Sequence, residues 1–192
     1  MNIIENNQIE ETEAKSKHQY QDLVQLFDGS FFEQYNTRLV KGDDEPVYLP
    51  ENKQCSFNQV VFAHGYFASA LHEIAHWCLA GAKRRKLEDY GYWYVADGRD
   101  QAQQQAFEQV EIKPQAIEWA FCIASGKAFD VSTDNLSGKG TTDRIAFKAK
   151  VYQQVLKYLE QGFPNDAQAF IQVLAKHYKT PWPLTPERFL EE

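Results

Sequence analysis

The stretch Tyr66 to Gly81, YFASALHEIAHWCLAG, restricts the possible folds of this chain more than any other. Phe67, Ala70, Leu71, Ile74, Ala75 and Cys78 recur at helical spacing, which predicts an amphipathic helix with one face in a core. Gly65 precedes the segment, Gly81 can end it, and Lys83, Arg84 and Arg85 follow near the negative end of the helix dipole. His72 and His76 stand four residues apart, so their imidazoles point the same way, with the reach to fill two positions around one metal ion. Glu73 lies about 100° round the helix from His72 and about 60° from His76, close enough to meet a metal-bound water. The plainer reading, two histidines capping nearby polar groups, explains less of the H-E-x-x-H pattern in its helical setting.

A two-histidine helix needs a further protein ligand for a working metal site, commonly a carboxylate from a neighbouring helix. Gln101 to Gly126 carries a long helical pattern with Glu108, Glu111 and Glu118 on it. Glu111 and Glu118 can share a face, and periodicity alone does not choose among the three. Pro114 predicts a kink or restart there, and Asp100 is a candidate cap for the start. His64 sits at a turn before the histidine helix, better placed for an outer or substrate contact than for direct ligation.

The remaining segments predict packing layers. His18 to Asn36 has helical spacing, broken or bent at Gly29. Arg38–Val40 and Val47–Leu49 read as short strands around an acidic turn, and Gln59–Ala63 as a buried strand running into His64-Gly65. Asp43, Asp44 and Glu45 form a solvated turn or, on the sharper reading, receive a ligand's ammonium. Asp89–Val95 is rich in strand-favouring aromatics, and its Tyr92, Trp93 and Tyr94 belong either to the core or to the site wall. Arg99 is an ordinary salt-bridge partner or a carboxylate-binding cation. SGKGTT, from Ser137, lacks the spacing of a phosphate loop and reads as a plain loop. Thr141 or Thr142 caps a helix to about Gln161 with Ile145, Phe147, Val151, Val155, Leu156 and Leu159 as core contacts. Pro164 opens another to about Tyr178, and Pro186 starts a short last one. The fold class is α+β: a mostly helical single domain, 18–192, around a small sheet, after a polar, acidic tail at 1–17 that reads as disordered.

Charge and cysteine usage narrow the function classes. A net charge of −7 argues against a broad phosphate-binding surface, hence against nucleic acid, and leaves room for a cationic substrate. Cys55, Cys78 and Cys122 are too few and scattered for a disulfide frame or a Cys-rich zinc site, which fits a reducing cytoplasm. No secretory signal and no apolar run of transmembrane length are legible.

Taken in order and spacing, NTRLVKGDDEPVYLP, VVFAHGYFASALHEIAHWC, GYWYVADGRDQAQ and FEQVEIKPQA resemble the bacterial elongation factor P hydroxylases, the EpmC/YfcM family. The resemblance runs from about Tyr20 to the Pro-Trp-Pro region. It implies a metal-dependent enzyme that hydroxylates the β-lysyl-modified lysine of elongation factor P. It also implies a site more like that of a zincin-type metallopeptidase than a cupin. Carried over by residue, it gives His72 and His76 as metal ligands, Glu73 beside them and, from the E-x-K-P-Q stretch, Glu111 as third ligand ahead of Glu118.

Two imidazoles and one carboxylate leave open coordination positions, the arrangement of non-haem Fe(II) oxygenases, and with the resemblance iron(II) is the expected ion. The same ligands could hold zinc with Glu73 as general base, giving a peptidase; the resemblance decides for hydroxylation. A module with a purely structural metal is disfavoured, because structural zinc usually has a closed four-ligand shell.

Overall fold

A computed structural model of the chain describes residues 17–88, 97–133, 135 and 143–190. The expected tail at 1–17 lies almost wholly outside the described residues, as do the aromatic strand at 89–95 and the SGKGTT loop. Among the described residues five α-helices pack around a three-stranded sheet, as α+β predicts. No described helix is long and apolar enough to cross a membrane.

Helix α1 (Tyr20–Tyr35) leads through Asn36, at φ 48°, into β1 (Thr37–Lys41). Strands β2 (Val47–Leu49) and β3 (Asn58–Phe62) follow, in the order β1-β3-β2, with β1 parallel and β2 antiparallel to β3. The two strands flanking the acidic turn therefore do not pair with each other; β3 inserts between them. Gly42, at the end of β1, is needed here, because a Cβ would stand 2.7 Å from Val61 Cγ1. The left-handed pair His64 (φ 53°) and Gly65 (φ 75°) then turns the chain from β3 into helix α2 (Phe67–Leu79).

Helix α2 buries Phe67, Ala70, Leu71, Ile74, Ala75, Trp77 and Cys78, the expected apolar set plus Trp77. Trp77 meets Phe31 at 4.8 Å, Phe27 at 5.0 Å and Tyr35 at 5.3 Å between ring centroids. Aromatic pairs at such separations add to the area they remove from water. The basic run after α2 forms a 3-10 turn at Arg84–Lys86. Arg85 Nη2 donates to Trp77 O at 3.0 Å and to Asp166 Oδ2 at 2.7 Å, so this cation does complement the helix end.

Helix α3 (Gln101–Ser125) starts at an Asp100–Gln103 capping box and ends at Gly126, φ 69°. Its last carbonyls receive Thr180 Oγ1 on Ala124 O (2.6 Å) and Arg188 Nη2 on Ile123 O (3.1 Å). Helix α4 (Arg144–Gln161) and helix α5 (Asn165–Tyr178) pack against it.

Several expectations need correction. Gly29 lies inside α1, because Phe27 and Phe31 are buried on either side and outweigh a glycine's weak helix propensity of about 1 kcal/mol. Pro114 lies inside one uninterrupted α3, without a restart; its missing N–H is tolerated where the turns on both sides are buried. Asp143, not Thr141 or Thr142, caps α4, accepting from Ala146 N at 2.9 Å. Ile145, expected in the core, is 85% exposed in the first turn of α4.

Candidate metal centre

The site is built across the contact between α2 and α3. His72 and His76 are one turn apart on α2, and their Nε2 atoms approach to 3.0 Å. Glu111 comes in from α3, with Oε2 3.5 Å from His72 Nε2 and Oε1 3.3 Å from His76 Nε2. Two turns along α3, Glu118 Oε2 lies 2.8 Å from His72 Nδ1. A carboxylate can only accept, so this contact places a proton on Nδ1 and, in the neutral ring, leaves the Nε2 lone pair facing His76 and Glu111.

Glu111 is itself held. Gln115, fully buried one turn later, sets its amide nitrogen 3.4 Å from Glu111 Oε2. The same amide donates to Ser132 O at 2.8 Å and accepts from Ser132 N at 3.0 Å. The loop after α3 is thereby clipped to the helix at the level of the carboxylate.

The electrostatics follow from burying these groups together. Burial disfavours the charged form of His72, but Glu118, through charge and hydrogen bond, then Glu111 and Glu73 outweigh it, and its pKa is raised to about 10. Burial likewise works against the Glu111 carboxylate, and His76 and His72, helped by Gln115, hold it down at about 2. The Glu73 carboxyl is raised: burial pushes it up, the two histidines pull it down, and Glu111 and Glu118 push it up again. Glu73 makes no hydrogen bond to another described residue and faces a cavity walled by Val47, Tyr48, Val60, His76 and Trp77.

The donor set fits a divalent cation. His72, His76 and Glu111 each offer a ligand atom, all within 4.8 Å of one another. Two atoms each held at about 2.0–2.2 Å from one ion, at angles of about 90–110°, lie about 2.8–3.6 Å apart. The two imidazole nitrogens, 3.0 Å apart, fall in that range, as does each one's approach to its own Glu111 oxygen, 3.3 Å from His76 to Oε1 and 3.5 Å from His72 to Oε2. Three neighbouring carboxylates also supply the negative charge that a buried cation requires.

Among the described residues, the other expected site residues are not members of this ligand group. His64 is exposed beside Tyr66, with ring centroids 5.8 Å apart, and is outside the ligand group. Asp43, Asp44 and Glu45 are exposed in the turn before β2, Asp43 pairing with Lys41 at 3.6 Å. Arg99 is buried rather than presented to a ligand: its Nε donates to Gln104 Oε1 at 2.9 Å and its Nη2 to Thr133 O at 3.0 Å. The guanidinium lies 3.8 Å over the Phe107 ring. Tyr94 lies outside the described residues. Sequence reasoning gave Gln115 no role, although it closes the E-x-K-P-Q stretch one turn after Glu111 on the same face. Glu118, weighed only as a ligand, instead orients His72.

The family model described as "Elongation factor P hydroxylase" matches residues 26–189, and the chain belongs to that family. A relative from Haemophilus influenzae, "Elongation factor P lysine hydroxylase", is 49% identical over 164 residues, covering 85% of this chain and 92% of that protein.

Proposed function

We propose that this chain hydroxylates a lysine of elongation factor P, that the lysine first carries a β-lysyl group, and that His72, His76 and Glu111 hold iron(II) for the reaction. The observation that carries this is the convergence of those three side chains in a chain of the hydroxylase family. An iron ion bound there supplies the oxidising power, with dioxygen and a reductant, to attack an aliphatic C–H bond that acid–base groups alone leave intact. The H-E-x-x-H helix plays the part it has in zincins, presenting two imidazoles and a glutamate from adjacent turns.

The chain's own residues do the rest. Glu118 fixes the His72 tautomer, and Gln115 fixes the carboxylate of Glu111. Glu73 holds or releases a proton at its carboxyl, where its raised pKa suits acid–base work, and its negative form attracts the substrate ammonium. Val47, Val60 and Trp77 give the cavity apolar walls that keep water from the reacting carbon. The acidic turn Asp43–Glu45, two residues before Val47, is the edge that receives the second ammonium of a β-lysyl-lysine. A zinc peptidase would use the same ligands, and family membership favours hydroxylation over it.

The test incubates iron-loaded protein, a reductant and air with β-lysylated elongation factor P. Intact mass spectrometry is expected to show one added oxygen, lost in His72→Ala and His76→Ala. Asn or Gln at all three of Asp43, Asp44 and Glu45 is expected to weaken binding of the modified factor at unchanged metal content. No mass gain, with cleavage of peptides by the zinc form instead, would overturn the reading.

A further inference from the structure

The basic turn after α2 is used only in part by the fold. Lys83, Arg84, Arg85 and Lys86 are four of the chain's 20 lysines and arginines, placed side by side in a protein of net charge −7. Arg85 is committed: it bonds Trp77 O and Asp166, and stacks 3.8 Å over Trp77. Tyr48 Oη, donating to Arg85 O at 2.9 Å, ties the turn to β2 as well. Lys83 and Lys86 have no such role. Both are exposed, neither forms an ion pair among the described residues, and Leu87 beside them is 64% exposed.

The position of this turn gives the charge a use. Arg84 and Arg85 line the same cavity as Glu73 and His76, and Lys83, Lys86 and Leu87 are their exposed neighbours in the chain. The depth of the cavity is carboxylate-bearing and suits a cation, whereas the adjoining turn is cationic and suits an anion. A ligand matching both has a cationic tip on an acidic body. Two exposed lysines are few for a nucleic-acid backbone, whose binding scales with the number of phosphates neutralised, but they match the few carboxylates of a protein patch.

We propose that Lys83, Lys86 and Leu87 form a docking surface for an acidic, partly apolar patch on the folded body of the protein substrate. This rests on the protein-hydroxylase reading given above. The anchored Arg85 holds the patch in place, and the two lysines raise the encounter rate and fix the approach.

The test compares the parent with Lys83→Glu/Lys86→Glu on two substrates: intact β-lysylated elongation factor P, and a short peptide carrying the same modified lysine. The double variant is expected to raise KM for the intact factor by about tenfold, with kcat, metal content and peptide turnover within about twofold of the parent. Raising salt from about 0.05 to 0.3 M should erase most of the difference, since it screens exposed charges. Equal KM values at low salt, or equal losses on peptide and factor, would overturn the docking surface. So would parent binding of a labelled single-stranded RNA that the double variant loses. A parent inactive on both substrates would instead overturn the hydroxylase reading, and the docking surface with it.

Discussion

On one side of α2, Trp77 packs within 4.8–5.3 Å of Phe31, Phe27 and Tyr35, deep in the apolar core. On the other side, one residue away in sequence, His76 faces His72 and Glu111, with Glu118 behind. The first side contains groups that gain by leaving water. The second gathers carboxylates and imidazoles that lose hydration and recover it only from one another or from a bound cation. One helix thus packs the core with one face and carries the ligands on the other, and Trp77, in the core but also in the wall of the cavity beside Glu73, stands where the two meet. Because the two faces alternate within a turn, adjacent residues should respond to substitution in different observables.

Trp77→Ala should give the largest effect, roughly 3–5 kcal/mol of unfolding free energy by denaturant titration, with metal stoichiometry kept while the protein is folded. Loss of the metal from a folded Trp77→Ala protein would break the separation of the two faces. Glu73→Gln should do the reverse: turnover falls about 10²–10⁴-fold while the melting temperature and metal content hold, as steady-state kinetics and metal analysis would report. Glu118→Gln sharpens the contrast within the polar face. Losing the carboxylate behind His72 should weaken metal affinity by about 10–100-fold, read by calorimetric titration, with little change in secondary structure.

The smallest effect is a pH dependence of the metal-free protein. His72 is raised from 6.5 to about 10, so the stability it contributes is full below pH 6.5 and declines as pH rises through about 10. Glu111 is depressed to about 2, so its contribution is present above the ordinary carboxylate pKa of 4.5 and is lost as pH falls towards 2. Metal binding needs His72 neutral and should therefore release about one proton near pH 7–8. Titrations in buffers of different ionisation enthalpy would measure it, and metal affinity should rise with pH across that window.

The two faces were also unequally legible in the sequence. The apolar face of α2 could be read directly, because every contact residue lies within one helical segment and declares itself by period. The H-E-x-x-H pair is equally local. What joins it from afar was less accessible: Glu108, Glu111 and Glu118 all fit the period of α3, and only family resemblance put Glu111 first. The burial of the polar residues Gln115, Gln104 and Arg99 was not legible, since such side chains usually face solvent. Sheet order was hidden for a related reason: β3 enters between β1 and β2 through a pairing distant in sequence, which local patterning does not report. Ile145 shows the opposite error, an apolar residue in phase with a helix but 85% exposed in its first turn.

Titration of iron(II) into metal-stripped protein under anaerobic conditions addresses the account most directly. One ion per chain is expected for the parent, with affinity reduced at least about 100-fold in His76→Ala and Glu111→Ala, both still folded by circular dichroism. Parent-like binding in those two variants, or no binding by the parent, would contradict a centre made by His72, His76 and Glu111.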